Sequence, residues 1–145
     1  MARLEPLIKV RKHAVEEKQR ALALLYDEQE RLLHNKEMLI MDLAREQALI
    51  ESGDAPLDIQ IGFGSYAQRM RGQIEGLEKS MARVETRIMV ALDDIRTAFA
   101  EMKKIDITHQ ARQARAKKET DDREKKTFDE IATESHRRKA EQGEG

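Results

Sequence analysis

Apolar residues recur at alternating steps of three and four through the second half of the chain. This repeat runs from Ile74 to Ile105, for about five heptads, and is the a/d pattern of a coiled coil. We call these positions the seam: Ile74, Leu77, Met81, Val84, Ile88, Ala91, Ile95, Ala98, Met102 and Ile105. After Ile105 the same register continues through polar residues such as His109 and Arg112. A helix is therefore expected to continue beyond the end of its partner.

A second apolar stripe, with spacings of three, four and seven, predicts a first helix over residues 4–51. Pro6 fits the first turn of such a helix, where its missing N–H is not needed. The segment from Ser52 to Pro56 combines a glycine and a following proline, which is a helix stop signal.

The run from Leu57 to Gly64 alternates apolar with polar or small residues. One strand would have no partner here, so we predict an ordered loop within a turn over residues 52–64. Ser65 and Gln68 form a capping-box pattern. Helix two is therefore predicted over residues 65–139, with a start as early as Asp58 left open.

The lengths of the two helices support a hairpin. Helix one would measure about 70 Å and helix two about 110 Å at 1.5 Å per residue. If the chain folds back near residues 55–58, Leu4 comes level with residues 106–112, close to where the seam loses its apolar residues. We predict an all-α fold, an antiparallel two-helix coiled coil. Its second helix would form an overhang over residues 106–139 and a frayed tail over residues 140–145.

Composition agrees with long helices rather than a compact domain. Of 145 residues, 38% are charged and 3% are aromatic, and the net charge is −1. The chain has no cysteine, which excludes disulfides and cysteine-based metal sites and fits the cytosol. No stretch is apolar enough for a signal peptide or a membrane span.

Charge is distributed unevenly along the chain. Residues 1–20 hold six basic and three acidic side chains, and residues 103–127 hold nine and five. Residues 21–60 hold three basic and nine acidic side chains. An antiparallel hairpin would bring the two basic stretches to its open end. This end is either a solvated face of mixed charge or a surface that docks on an acidic partner.

Catalytic and metal-binding patterns are not found in the sequence. The four histidines, His13, His34, His109 and His136, do not pair with one another at helical spacing, so no helical metal site is predicted. There is no nucleophile motif or phosphate-binding glycine loop, and a two-helix coiled coil offers no pocket to desolvate a carboxylate. We predict a protein that is not an enzyme and needs no cofactor.

Three local features each allow two interpretations. Met38 to Met41 is either covered by the turn or a partner patch. Gly72 and Gly76 indicate either tolerated looseness or close approach of another backbone. Phe128 and Ile131 share one helical face, which is typical either of a frayed tail or of a helix that docks into a groove.

The segment from Asp122 to Arg138 resembles the C-terminal signature of the flagellar export protein FliJ family. That family tends to end in a charged helix with a Glu/Gln-Lys run, then Asp-Glu, an apolar residue, Ala and a basic finish. The matching positions are Glu124, Lys125, Lys126, Asp129, Glu130, Ile131, Ala132, Arg137 and Arg138. The size and layout of the whole chain are also similar to those of the family.

The resemblance implies a coiled coil similar to the stalk subunit of rotary ATPases. It implies three partners: the hexameric flagellar export ATPase, the cytoplasmic domain of the export gate membrane protein, and export chaperones. The location would be cytoplasmic, at the inner membrane beside the export apparatus. The predicted partner-binding residues are Arg123, Lys125, Lys126, Phe128, Asp129, Glu130, Ile131, Arg137 and Arg138.

The free protein is expected to be a monomer that does not bind nucleic acid. Two rival functions remain open at this point. One is a structural coiled coil in which helix two pairs in parallel with a second copy. The other is a coiled-coil arm that binds nucleic acid.

Overall fold

The computed structural model describes residues 3–143, which form two long helices joined by a short turn. Helix α1 spans Glu5–Ser52 and helix α2 spans Leu57–Gly143. They pack against each other as a hairpin in which the second helix is longer, so the predicted all-α fold is confirmed. Helix α2 includes residues 140–143 of the predicted frayed tail, and residues 144 and 145 lie outside the described residues.

The preferred loop over residues 57–64 is wrong, because α2 begins at Leu57, one residue before the Asp58 start that the sequence left open. Two hydrogen bonds donated by Gln60 stabilise this start. Its backbone N–H donates to the carbonyl oxygen of Pro56 at 3.0 Å, and its side-chain Nε2 donates to the carbonyl oxygen of Ala55 at 2.8 Å. Pro56 precedes the first helical turn, where a missing N–H leaves no hydrogen bond unmade. Ser65 lies inside α2 and therefore does not cap it.

The helical period explains why this segment belongs to α2. Phe63, Ala67 and Met70 continue the seam backward from Ile74 at steps of four and three. Ala67 is buried, and Phe63 and Met70 are half-buried. Of the alternating apolar residues, only Phe63 lies on this face, and Leu57, Ile59 and Ile61 are exposed.

The turn closes with the predicted glycine stop. Gly53 has a φ of 77°, in the left-handed region that favours glycine, and its N–H donates to the carbonyl oxygen of Ile50 at 3.2 Å. The Ser52 hydroxyl donates to the carbonyl oxygen of Leu49 at 2.9 Å. The N–H of Asp54 donates to that hydroxyl at 3.4 Å. These bonds satisfy backbone groups that the end of α1 would otherwise leave unpaired.

The described residues form two compact units. The turn unit contains residues 12–99, and the terminal unit contains the described residues before Lys12 and after Phe99. In the turn unit, Leu32 of α1 packs with Val84 and Ile88 of α2. Half-buried residues surround this cluster: Leu22, Leu25, Leu77, Met81 and Leu92. Burying each large aliphatic side chain contributes about 1.5–3 kcal/mol, so this cluster is the main source of stability in the turn unit.

The seam is the covered face of α2. Val84 and Ile88 are buried, with 3% and 6% of their surface exposed. The other seam residues are all half-buried: Ile74, Leu77, Met81, Ala91, Ile95, Ala98, Met102 and Ile105. Across the turn unit, Lys36 of α1 pairs with Glu78 of α2, Nζ to Oε1, at 3.2 Å.

Across the described residues, neither helix contains a stretch long and apolar enough to cross a lipid bilayer.

Candidate partner-binding surfaces

In the terminal unit, the start of α1 lies against α2 through polar contacts. Glu5 and His109 approach to 3.6 Å, Oε1 to Nε2, and the His109 side chain is 19% exposed. Arg11 and Glu101 approach to 3.3 Å, Nη1 to Oε2. Beside the pair of Glu5 and His109 lies an open cavity of about 430 Å³. It is lined by Arg3, Leu4, Glu5, His109, Arg112, Gln113 and Ala116.

These contacts move the start of the overhang. We predicted it at Asp106, where the seam loses its apolar residues. Asp106 and His109 are half-buried, and the cavity beside the start of α1 reaches Ala116. Pairing continues past Ile105 because polar side chains such as His109 still contact α1. The part of α2 beyond α1, which we call the tail, therefore consists of residues 117–143.

The tail is exposed along nearly its whole length. Every residue from 117 to 133 is exposed, and only Glu134 is half-buried among residues 117–143. Phe128 and Ile131 expose 71% and 63% of their surface. A helix gains most of its stability from packing of an apolar face, and this segment packs against nothing in the described chain. The tail is thus a surface suited to a partner.

The predicted binding residues of the tail do not share one face. Shallow grooves along the tail bring five of them together: Arg123, Phe128, Glu130, Ile131 and Arg138. At 100° per residue, Lys125 and Asp129 point to the opposite side of the helix. Lys126 and Arg137 lie at the edge of the first group. Because Phe128 and Glu130 lie about 160° apart around the helix, a partner must occupy both grooves to contact all five.

Ion pairs within the tail distinguish its basic residues. Arg137 contacts Glu134 at 3.0 Å and Glu141 at 4.0 Å, and Arg138 contacts Glu134 at 3.5 Å. Glu134 thus partly neutralises both arginines. Within the described residues, no ion pair involves Arg123, and its charge faces the groove beside Phe128.

Near the turn, the patch from Met38 to Met41 remains open. Leu39 is half-buried, whereas Met38, Ile40 and Met41 are exposed, so the turn does not fold over them. Met38 lines a groove whose opposite side includes Gly76. A Cβ on Gly76 would meet nothing within 4 Å, so no segment of the described chain approaches this glycine closely. The same holds for Gly72.

One exposed line was singled out from the sequence only in part, through Ile40 of the patch from Met38 to Met41. Tyr26, Leu33 and Ile40 follow the covered residues Leu25, Leu32 and Leu39 by one position each, at intervals of seven. They therefore run along one edge of the covered face of α1. The seven-residue interval was the sequence signal for this line, but these residues also fit the single broad apolar stripe predicted for the first helix.

The arrangement favours binding over catalysis. The surfaces described above are open grooves on helices, which suit contact with another protein. Comparison with known proteins agrees. The family model of the flagellar FliJ protein matches residues 1–141. No curated protein and no solved structure matches the chain.

Proposed function

Because the chain belongs to the flagellar FliJ protein family, we propose that it is a stalk and adaptor that couples the export ATPase ring to the export gate. Members of this family are non-catalytic components of the flagellar export apparatus, so the chain has a role in that apparatus. In this proposal it also binds export chaperones. It works in the cytoplasm, beside the inner membrane that holds the gate.

The observation that carries the proposal is the exposed tail. Residues 117–133 are all exposed, yet they are helical and contain two large apolar residues, Phe128 and Ile131. An isolated helix of this kind is marginal in water, so its retention makes sense if a partner covers it. The tail is slender enough to enter a ring of subunits, since it is one helix without a second layer.

The basic side chains of the terminal unit support a contact between this unit and the ATPase. The terminal unit contains Arg3, Lys9 and Arg11 from the start of the chain, with Arg112 and Arg115 on α2. These side chains would be attracted to an acidic lining, mainly raising the rate of association at low salt. In this proposal the start of α1 and the tail contact the ring together.

The experiment mixes the purified chain with the purified export ATPase and measures ATP hydrolysis and hexamer formation. The variant Phe128→Ser with Ile131→Ser should bind more weakly and stimulate less. Leu24→Ser is the matched control, because it removes an equally exposed apolar side chain from the turn unit. If the wild-type chain changes neither hydrolysis nor assembly, the ATPase part of the proposal is wrong.

The rival in which helix two pairs with itself through the seam receives less support. Val84 and Ile88 pack against Leu32 of α1, so the residues that such a dimer would need are already covered. Light scattering coupled to size-exclusion chromatography separates the two cases, because the proposal expects a monomer.

A further inference from the structure

The exposed line of Tyr26, Leu33 and Ile40, which we call the side stripe, belongs to the turn unit. The three side chains expose 43%, 41% and 44% of their surface. Scattered exposed apolar residues are ordinary on protein surfaces, but these three recur at intervals of seven beside covered residues. At 1.5 Å per residue the line extends for about 21 Å along α1, which matches two heptads of a docked helix.

An ion pair between the helices shows which part of α2 borders the side stripe. Lys36 follows Leu33 by three residues and precedes Ile40 by four, so it shares their face of α1. Its Nζ lies 3.2 Å from Oε1 of Glu78 on α2. Glu85 follows Glu78 by one heptad and lies on the same edge of α2. These two glutamates form the α2 border of the side stripe.

The other border, on α1, is acidic. Glu30 and Glu37 follow Tyr26 and Leu33 by four residues, so they lie next to them on the helix surface. In the part of the chain that the structure describes, Glu30, Glu37 and Glu85 take part in no ion pair. On the α2 border, Lys36 pairs with Glu78, and Arg71 lies one heptad before Glu78. The unpaired glutamates that flank the apolar line are therefore Glu30 and Glu37 on α1 and Glu85 on α2.

We propose that the side stripe binds a basic amphipathic helix of another protein, which lies along α1 and makes a local three-helix coiled coil. Aliphatic side chains at seven-residue intervals on that helix contact Tyr26, Leu33 and Ile40. Lysine or arginine side chains on its flanks pair with Glu30 and Glu37 on one side and with Glu85 on the other. Apolar anchors inside a charged rim are the usual anatomy of such an interface.

A second copy of this chain is a poorer occupant than a basic helix. A symmetric dimer through the side stripe would place the same patch of both copies face to face. The glutamates of one copy would then oppose those of the other, and like charges at such positions are destabilising. This surface is also independent of the tail, so its failure would leave the role proposed for the tail untouched.

The test uses the full chain and a labelled synthetic peptide of three heptads, with leucine at the a and d positions and lysine at the flanking positions. A matched peptide carries glutamate instead of lysine. Fluorescence anisotropy should show that the lysine peptide binds and that the glutamate peptide binds at least about tenfold more weakly. Equal binding of the two peptides would overturn the proposal.

Two variants locate the site. Leu33→Ser with Ile40→Ser should weaken the lysine peptide by about tenfold or more, because it removes two anchors. Leu24→Ser with Val90→Ser removes two exposed apolar side chains elsewhere in the turn unit and should leave the affinity unchanged. An equal loss in both variants would contradict a site at the side stripe.

A separate variant tests the glutamates beside the side stripe, and its result does not depend on whether the apolar variant folds. Glu30→Gln with Glu37→Gln should weaken the lysine peptide and flatten the dependence of its affinity on salt. An unchanged salt dependence would overturn the role of the glutamates. Light scattering completes the test: a wild-type dimer that Leu33→Ser with Ile40→Ser makes monomeric would assign the surface to a second copy and refute the proposal.

Discussion

His109 of α2 lies against Glu5 in the first turn of α1, with Nε2 3.6 Å from Oε1. This contact lies beyond Ile105, the last apolar residue of the seam. The helices thus remain paired after the seam loses its apolar residues, and the half-buried Leu4, just before α1, lines the cavity beside His109. The tail that carries Phe128 and Ile131 begins only where this pairing stops.

The seam should be sensitive to charge at its centre. Ile88→Asp places a carboxylate among Leu32 and Val84, and we expect a loss of about 3 kcal/mol or more in the free energy of unfolding. Thermal melting followed by circular dichroism would measure it. Met89→Asp is the control, because Met89 is exposed and next in sequence. Equal melting of the two variants would contradict the orientation of α2.

Two glycines should respond to alanine in opposite directions. Gly53 has a φ of 77°, so Gly53→Ala is strained and should destabilise the hairpin by about 1 kcal/mol. Gly72 lies inside α2, and an added Cβ would meet nothing within 4 Å. Gly72→Ala should therefore stabilise by about 1 kcal/mol, as alanine does in helix interiors. Chemical denaturation of both variants would check the pair of signs.

The exposed ion pair between Arg11 and Glu101 should contribute little to stability. Both side chains are about half exposed, so water and salt screen their attraction. A double-mutant cycle with Arg11→Ala and Glu101→Ala should give a coupling energy below about 0.5 kcal/mol. A coupling above about 1 kcal/mol would show that this pair helps to hold the start of α1 in place.

How far the sequence predicts this molecule differs between its parts. The seam from Ile74 to Ile105 was predictable because a regular apolar repeat on a long helix has few alternatives. The start of α2 was not, because Gly62, Gly64 and the alternation around them are typical of a loop. The hydrogen bonds that Gln60 donates to Ala55 and Pro56 stabilise a helix start at Leu57. Such contacts depend on how the turn folds, whereas the seam repeat continues backward only as far as Phe63, in the second turn of α2.

The start of the overhang could not be predicted from the sequence either, for a related reason. An apolar repeat shows where hydrophobic contact ends, and it does not show where pairing ends. His109 and Arg112 are polar residues in seam register, which is equally typical of a solvated helix. Only the position of Glu5 beside His109 distinguishes the two cases. Phe128 and Ile131 were identified by their helical spacing and the other tail residues through a family resemblance. The distribution of these residues over two faces could be seen only in the helix itself.

Two truncations would locate the start of the tail by its effect on stability. A chain that ends at Ala116 keeps the contact of His109 with Glu5 and the residues that line the cavity beside α1. It should melt within about 2 °C of the full chain, because residues 117–133 bury nothing. A chain that ends at Ile105 loses those contacts and should expose the first turns of α1 to fraying.

The shorter chain should therefore melt several degrees lower, and its loss should be concentrated at the start of α1. Hydrogen exchange measures this directly: amides of residues 8–15 should lose protection in the chain that ends at Ile105 and keep it in the chain that ends at Ala116. Equal protection in the two truncated chains would show that the overhang starts at Asp106, as the seam predicts. A large loss in the chain that ends at Ala116 would instead mean that the tail contributes to folding, and its role as a free partner-binding helix would fail.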